Sequence, residues 1–92
     1  MSQIIASPQE LVQFARYLRD LARTLKERKT SLNHEFAEVG EVWRDEKYQQ
    51  FQRIFEETSR EIDVFLKEAE RYSEYLNRKA KPLQAYLDRR YS

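Results

Sequence analysis

The sequence of 92 residues contains no cysteine, one glycine and two prolines. The absence of cysteine excludes a disulfide framework, a thiol nucleophile and a thiolate metal site. So little glycine and proline argues against a turn-rich β-sandwich, which needs a turn roughly every 8–12 residues. His34 has no second histidine with which to form a metal site or a catalytic pair. These absences favour a helix-rich binding protein over an enzyme, and we expect no cofactor and no metal.

Charge is nearly balanced overall but unevenly distributed. The net charge is +1, so no overall field attracts nucleic acid or anionic lipid. Residues 45–77 carry nine acidic and five basic side chains, whereas residues 78–92 carry one acidic and five basic. No stretch approaches the roughly 20 apolar residues of a membrane span, and no early apolar run has the length of a signal peptide. We therefore expect a cytoplasmic protein whose export, if it occurs, does not use the general secretory signal.

The first helix is predicted over about residues 8–39. Ser7 is a suitable N-cap, Pro8 fits the first helical position, and Glu10 completes a capping box. Apolar residues then recur every seven positions, at Leu11, Leu18, Leu25, Leu32 and Val39. This repeat places an apolar stripe on one face and predicts a coiled-coil-like seam.

The second helix is predicted over about residues 46–80, after a bend at 40–45. Gly40 is expected to end the first helix in the left-handed conformation, and Asp45 is expected to cap the second. A second seven-residue repeat runs through Tyr48, Phe55, Ile62, Ala69, Leu76 and Leu83. Pro82 interrupts this helix, so we predict a kink or a short break near Lys81 and a kinked tail over 81–92.

Both apolar stripes are wider than a two-helix hairpin can bury. A short bend makes the helices antiparallel neighbours, and an exposed apolar patch usually marks an association surface. The predicted fold is therefore all-α: an antiparallel helical hairpin that dimerises into a four-helix bundle. The residues expected to form the dimer or hairpin seam are Leu11, Phe14, Leu18, Leu21, Leu25, Leu32, Phe51, Phe55, Ile62, Phe65 and Leu76.

The bend carries a tryptophan, in the segment Val42-Trp43-Arg44-Asp45. With Phe51 on the first turns of the next helix, this arrangement resembles the WXG family of small type VII secretion substrates. The resemblance extends over essentially the whole chain in architecture, and Gly40, Trp43 and Asp45 are the predicted bend motif. Asp45 stands where the family usually has glycine.

The resemblance implies a single hairpin domain over 1–92 that acts through protein–protein interaction. Its partner would be a second copy or a similar small helical protein, with a larger secreted effector or the secretion ATPase as further candidates. The family's secretion signal is a tyrosine followed four residues later by Asp or Glu. The fourth residue after Tyr72, Tyr75 and Tyr86 is Leu, Lys and Arg respectively. The chain therefore looks like a signal-less partner or targeting chaperone.

Other interpretations remain open at this stage. Trp43 has two compatible interpretations, as a recognition element and as a ring that fills the end of the hairpin where the helices splay. The candidate partner-docking tail consists of Tyr75, Arg78, Arg89, Arg90 and Tyr91. The alternative function is that of a generic helical adaptor or coiled-coil scaffold, followed by a nucleic-acid or membrane-surface binder that uses the basic tail.

Overall fold

The computed structural model describes residues 7–91, with Tyr91 described by its backbone alone. Helix α1 spans Pro8–Val39 and helix α2 spans Glu46–Tyr91. The two helices pack side by side as a hairpin, joined by the bend at 40–45, and the described part of the chain contains no strand. The molecule measures 68 × 28 × 15 Å. A 46-residue helix is about 69 Å long at 1.5 Å per residue, so α2 sets the length of the rod.

The start of α1 is fixed by the predicted cap. Ser7 has extended backbone angles, and its hydroxyl accepts a hydrogen bond from the Glu10 amide at 3.2 Å. Pro8 occupies the first turn, where its missing N–H costs nothing. These interactions satisfy or avoid backbone donors that would otherwise lack a partner in the first turn.

The end of α1 differs from the prediction at one residue. Gly40 has φ −64° and ψ −16°, so the predicted left-handed conformation is wrong. The chain instead continues in right-handed turns, with hydrogen bonds from the Gly40 amide to the Phe36 carbonyl and from the Trp43 amide to the Val39 carbonyl. These bonds satisfy the final carbonyls of α1 without a left-handed residue.

The predicted break near Lys81 is also wrong. Helix α2 continues through Pro82 to Tyr91, so residues 81–91 are not a separate tail. Proline removes one hydrogen bond, the one to the carbonyl of Arg78 four residues earlier. Both Pro82 and Arg78 are exposed, so water can solvate that carbonyl. The interruption therefore costs less than it would inside a core.

Small side chains line the contact between the two helices. Ala15, Ala69, Ala80 and Ser73 are buried, together with Pro8 at the start of α1. Alanine and serine let the helix backbones approach closely, but they leave little apolar surface between them. The hairpin is consequently one layer of two helices, whereas a stable domain usually packs two layers around its core.

Candidate protein-interaction surface

Trp43 and Asp45 are joined directly at the bend. The indole Nε1 of Trp43 donates a hydrogen bond to Asp45 Oδ1 at 2.7 Å. The same oxygen accepts a hydrogen bond from the Tyr48 amide at 3.2 Å, so Asp45 is the N-cap of α2, as the sequence predicts. One carboxylate therefore caps the helix and orients the tryptophan ring.

An aromatic cluster supports this bend from inside the hairpin. Phe36 on α1 stacks against Tyr48 and Phe55 on α2, with ring centroids 4.9 and 4.8 Å apart. Trp43 meets Tyr48 edge-on at 5.4 Å and lies 6.2 Å from Phe51. Because Phe36 and Trp43 are both half-buried, the cluster closes the bend end of the hairpin while leaving part of the indole in solvent.

The packing at the bend leaves no space for a side chain at position 40. A Cβ built at this position would collide with the hydroxyl oxygen of Tyr48 and would lie 3.0 Å from Tyr48 Cζ. The Tyr48 ring cannot easily withdraw because it is held between Phe36 and Trp43. The glycine of the predicted bend motif therefore serves close approach to an aromatic ring.

Exposed apolar side chains from both helices lie along one side of the hairpin, which we call the outer face. At its centre lies a groove of about 360 Å³ lined by residues from both helices. Phe14 from α1 is 55% exposed there, beside Phe65 and Tyr72 from α2. Exposed apolar residues at compatible helical positions extend this face along the hairpin: Leu21 and Leu32 on α1, and Phe51 and Ile54 on α2. Fully burying a side chain of this size contributes about 1.5–3 kcal/mol, so covering the outer face would stabilise the hairpin considerably.

The predicted seam residues fall into two groups in the structure. Those that lie half-buried are Leu11, Leu18, Leu25, Phe55, Ile62 and Leu76. Those that remain exposed are Phe14, Leu21, Leu32, Phe51 and Phe65. The hairpin alone thus leaves almost half of the predicted seam in solvent.

The opposite side of the hairpin, which we call the back face, is polar. Its groove is lined by charged residues that include Arg23 and Lys26 on α1 and Lys67 and Glu70 on α2. Next to them, Arg19 Nε donates to the Oγ of buried Ser73 at 3.3 Å. The two sides of the hairpin therefore differ sharply in chemistry, and the apolar outer face is the stronger candidate for protein association.

The candidate tail residues lie on the last turns of α2. Lys79 Nζ is 6.0 Å from the centroid of the Tyr75 ring, and Arg78 lies 4.0 Å from Glu74. Arg90 donates to the Tyr86 hydroxyl at 3.2 Å. Arg89 is exposed, and the side chain of Tyr91 lies outside the described part of the molecule. Tyr75 and Arg78 line one groove together, whereas Arg89 and Arg90 lie about three turns further along the helix.

Polar contacts between the helices, at Gln9–Gln84, Arg19–Ser73 and Lys29–Asp63, were not anticipated from the sequence. Lys29 Nζ contacts Asp63 Oδ1 at 2.6 Å, and the lysine side chain is only 17% exposed. Ser73 is fully buried between the helices. The seven-residue spacing of Ala15 with Ala22, and the row of Ala69, Ser73 and Ala80, was the available signal for a small-residue seam.

His34 lies on the surface, where its Nε2 contacts Glu38 Oε1 at 2.7 Å. Among residues 7–91, no group of three or more histidine and acidic side chains is placed to hold a metal ion. Within the same range, neither helix is long and apolar enough to cross a membrane.

Comparison with known protein families decides the affiliation. The family model WXG100, described as proteins of 100 residues with WXG, matches residues 3–86. This protein belongs to the WXG100 family. No curated protein and no solved structure gives a significant match. The match confirms the resemblance inferred from the bend. WXG100 proteins are small helical proteins of type VII secretion and typically dimerise.

This WXG100 protein departs from the family motif at its third position. Asp45 replaces the glycine, and no residue in the described part of the chain has a positive φ. The position therefore does not require glycine for backbone reasons. The carboxylate adds the cap of α2 and the acceptor for Trp43, neither of which glycine can supply.

Proposed function

We propose that this WXG100 protein works as a non-enzymatic association module, whose outer face packs against a similar helical hairpin to form a four-helix bundle. The observation that carries the proposal is the exposed apolar outer face of a hairpin whose own seam consists of small residues. A second hairpin on this face would supply the missing layer of a two-layer domain. The dimerisation typical of WXG100 proteins supports the same conclusion.

Within type VII secretion, we propose the role of a partner or targeting chaperone. Tyr72, Tyr75 and Tyr86 are followed at the fourth position by Leu76, Lys79 and Arg90, and none of these residues is an acid. A dimer of this chain would therefore act together with a larger protein that carries the signal. The half-buried Trp43 at the bend and the basic end of α2 are the surfaces we propose for that contact.

A matched pair of variants tests this function. Leu21→Glu places a charge on the outer face, where the side chain is already exposed in the hairpin. Lys26→Glu introduces the same residue on the back face. We expect L21E to be a folded monomer by circular dichroism and light scattering, whereas K26E stays dimeric.

The cellular test uses the same variants in the producing bacterium. With the gene deleted, we expect reduced export of at least one type VII substrate that carries the tyrosine–acid signal. Wild type and K26E should restore that export, and L21E should not. Unchanged export after deletion, or full restoration by L21E, would contradict the proposed role.

A further inference from the structure

A further groove between the helices lies at the end of the hairpin away from the bend. It has a volume of about 550 Å³, and both helices contribute to its lining. Ala80 is only 4% exposed and Pro8 is buried, so these small side chains form its floor together with half-buried Val12. We call it the amide groove, after the four amide side chains in its lining: Gln9, Gln13, Asn77 and Gln84.

The amide groove belongs to the back face of the hairpin. On α2, Asn77 and Lys81 follow Glu70 and Glu74 of the back face at intervals of three and four residues. This spacing keeps side chains on one side of a helix. The amide groove therefore lies on the side away from the outer face, and a partner on one face leaves the other accessible.

The charged side chains of the amide groove are both cations, one from each helix. Arg16 and Lys81 are exposed, and neither makes an ion pair or a side-chain hydrogen bond with another described residue. None of the described residues that line the groove is acidic. Two unpaired cations beside an apolar floor suit a ligand that carries carboxylates and apolar groups.

The amides of the groove differ in what they bind. Gln9 and Gln84 are bonded to each other between the helices at 3.1 Å. The side chains of Gln13 and Asn77, by contrast, bond to none of the described residues. An extended peptide exposes main-chain N–H and C=O groups that these amides can pair with, because each amide is both a donor and an acceptor. A helix satisfies its own main chain and would cover the amides without bonding them, at a cost in free energy.

The spacing of the two cations also matches an extended segment. The bonds from Gln9 to Gln84 and from Arg19 to Ser73 place Arg16 level with residues 76–77 of α2. Lys81 therefore lies four to five residues further along the hairpin, or about 7 Å at the rise of a helix. In an extended chain, side chains two residues apart point to the same side and are also separated by about 7 Å.

We propose that the amide groove binds an extended acidic segment of another protein, in which two carboxylates, two residues apart, pair with Arg16 and Lys81. Gln13 and Asn77 bond to the main chain of that segment, and an apolar side chain next to the acids packs on the floor of the groove. This partner differs from the hairpin that covers the outer face, so the two contacts are compatible.

A long polyanion such as a nucleic acid fits the amide groove poorly. Glu74 lines the neighbouring part of the back face, and at the other end Asp88 accepts a hydrogen bond from Gln84 at 2.8 Å. These carboxylates confine the positive region to about two helical turns, which favours a short acidic segment over a repeating phosphate backbone. Residues 1–6 of the chain itself contain no acidic side chain and so offer no partner to the two cations.

Binding of a defined peptide tests the site. The probe is a fluorescent, amidated peptide, Gly-Glu-Ala-Glu-Ala-Leu-Ser-Gly, and the control peptide has glutamine in place of both glutamates. Measured by fluorescence anisotropy, the wild-type chain should bind the probe at least about tenfold more tightly than the control peptide. Equal affinity for the two peptides, or no binding of the probe at millimolar protein, would overturn the proposal.

Charge reversal assigns the binding to the two cations. We expect the variant R16E/K81E to bind the probe at least about tenfold more weakly than wild type, and to prefer a peptide with lysine in place of both glutamates. The matched control K26E/K67E makes the same change of net charge at exposed positions of the back face. These positions lie more than a Debye length of about 8 Å from the amide groove, so the control should bind like wild type at physiological salt. Equal weakening of the two variants would show a general effect of charge and would contradict the site.

Nuclear magnetic resonance locates the peptide independently of affinity. On titration with the probe, the side-chain amide signals of Gln13 and Asn77 should shift, whereas those of Asn33 and Gln49, which are exposed nearer the bend, should stay in place. Shifts that leave the signals of Gln13 and Asn77 unchanged would place the peptide elsewhere and overturn the proposal.

Other occupants of the amide groove have their own signatures. A change in the solution mass of R16E/K81E relative to wild type would make the groove a contact between copies of this chain. A fluorescent oligonucleotide that binds more tightly than the probe and depends on Arg16 and Lys81 would make it a nucleic-acid site. Either result overturns the acidic segment. The outer-face variant L21E should bind the probe like wild type, so a failure of the proposed dimer and a failure of this site are separate results.

Discussion

The indole nitrogen of Trp43 and the carboxylate of Asp45 are bonded at 2.7 Å, and the same oxygen caps helix α2 through the Tyr48 amide. Asp45, where the family motif has glycine, therefore has a structural role of its own. Glycine has no side chain to accept a hydrogen bond, whereas the Asp45 carboxylate accepts from the Trp43 indole and the Tyr48 amide. Trp43 is thus hydrogen-bonded to Asp45, the residue that replaces the glycine of the family motif.

Removing the Asp45 carboxylate should destabilise the bend. We expect Asp45→Ala to lower the free energy of unfolding by about 1–2 kcal/mol, because the α2 cap and the indole acceptor are lost together. Asp45→Asn keeps an oxygen in the same place and should stay within about 0.5 kcal/mol of wild type. Urea unfolding followed by circular dichroism measures both. An alanine variant as stable as wild type would show that the bond contributes nothing.

Adding a methyl group at Gly40 should be unfavourable even though its backbone angles are those of a right-handed helix. Alanine favours a right-handed helix by up to about 1 kcal/mol over glycine, but its Cβ would collide with the Tyr48 hydroxyl. We expect Gly40→Ala to destabilise by about 1 kcal/mol. The loss should shrink in a Tyr48→Phe background, measured as a double-mutant cycle. Additive effects of the two substitutions would argue against the collision.

Replacing Pro82 should strengthen the end of α2. Pro82→Ala restores the amide that can bond to the Arg78 carbonyl, and we expect a gain between roughly 1 and 3 kcal/mol in local stability. Hydrogen exchange on the amides of the last turns reports this directly, as slower exchange in the variant. Unchanged protection would mean that the helix end opens independently of the proline.

The two members of the Lys29–Asp63 pair should respond differently to substitution. Asp63→Asn leaves a mostly buried ammonium without its charged partner, and we expect a loss of about 1 kcal/mol after allowance for the exposed carboxylate. Lys29→Met removes the buried charge and should be nearly neutral. Thermal unfolding at low and high salt compares them, and the loss in D63N should be smaller at high salt. Equal effects of the two substitutions would contradict this asymmetry.

Local sequence signals were sufficient to predict where each helix starts. The Ser7 cap, the proline at the first turn and the Asp45 cap act through backbone donors within three residues, so each could be recognised without knowledge of the fold. The tryptophan bend was enough to suggest the family that the comparison confirmed. Short-range chemistry made these features predictable.

Features that depend on neighbours in space could not be derived in the same way. The absence of a side chain at Gly40 makes room for the Tyr48 ring eight residues later, and a glycine that avoids a collision looks the same in sequence as one with positive φ. Pro82 stays helical because its side of α2 faces solvent, which the sequence does not specify. Likewise, the apolar repeats did not reveal that alanines, rather than leucines, form the buried contact between the helices.

The solution mass of the purified chain tests the account most directly. Light scattering across a concentration series should give a mass near twice 11.3 kDa, because a second hairpin is needed to cover the outer face. The dimer should dissociate on dilution while the helical circular dichroism signal weakens. A cooperatively folded species that keeps a mass near 11.3 kDa up to high micromolar concentration would contradict the central claim of self-association.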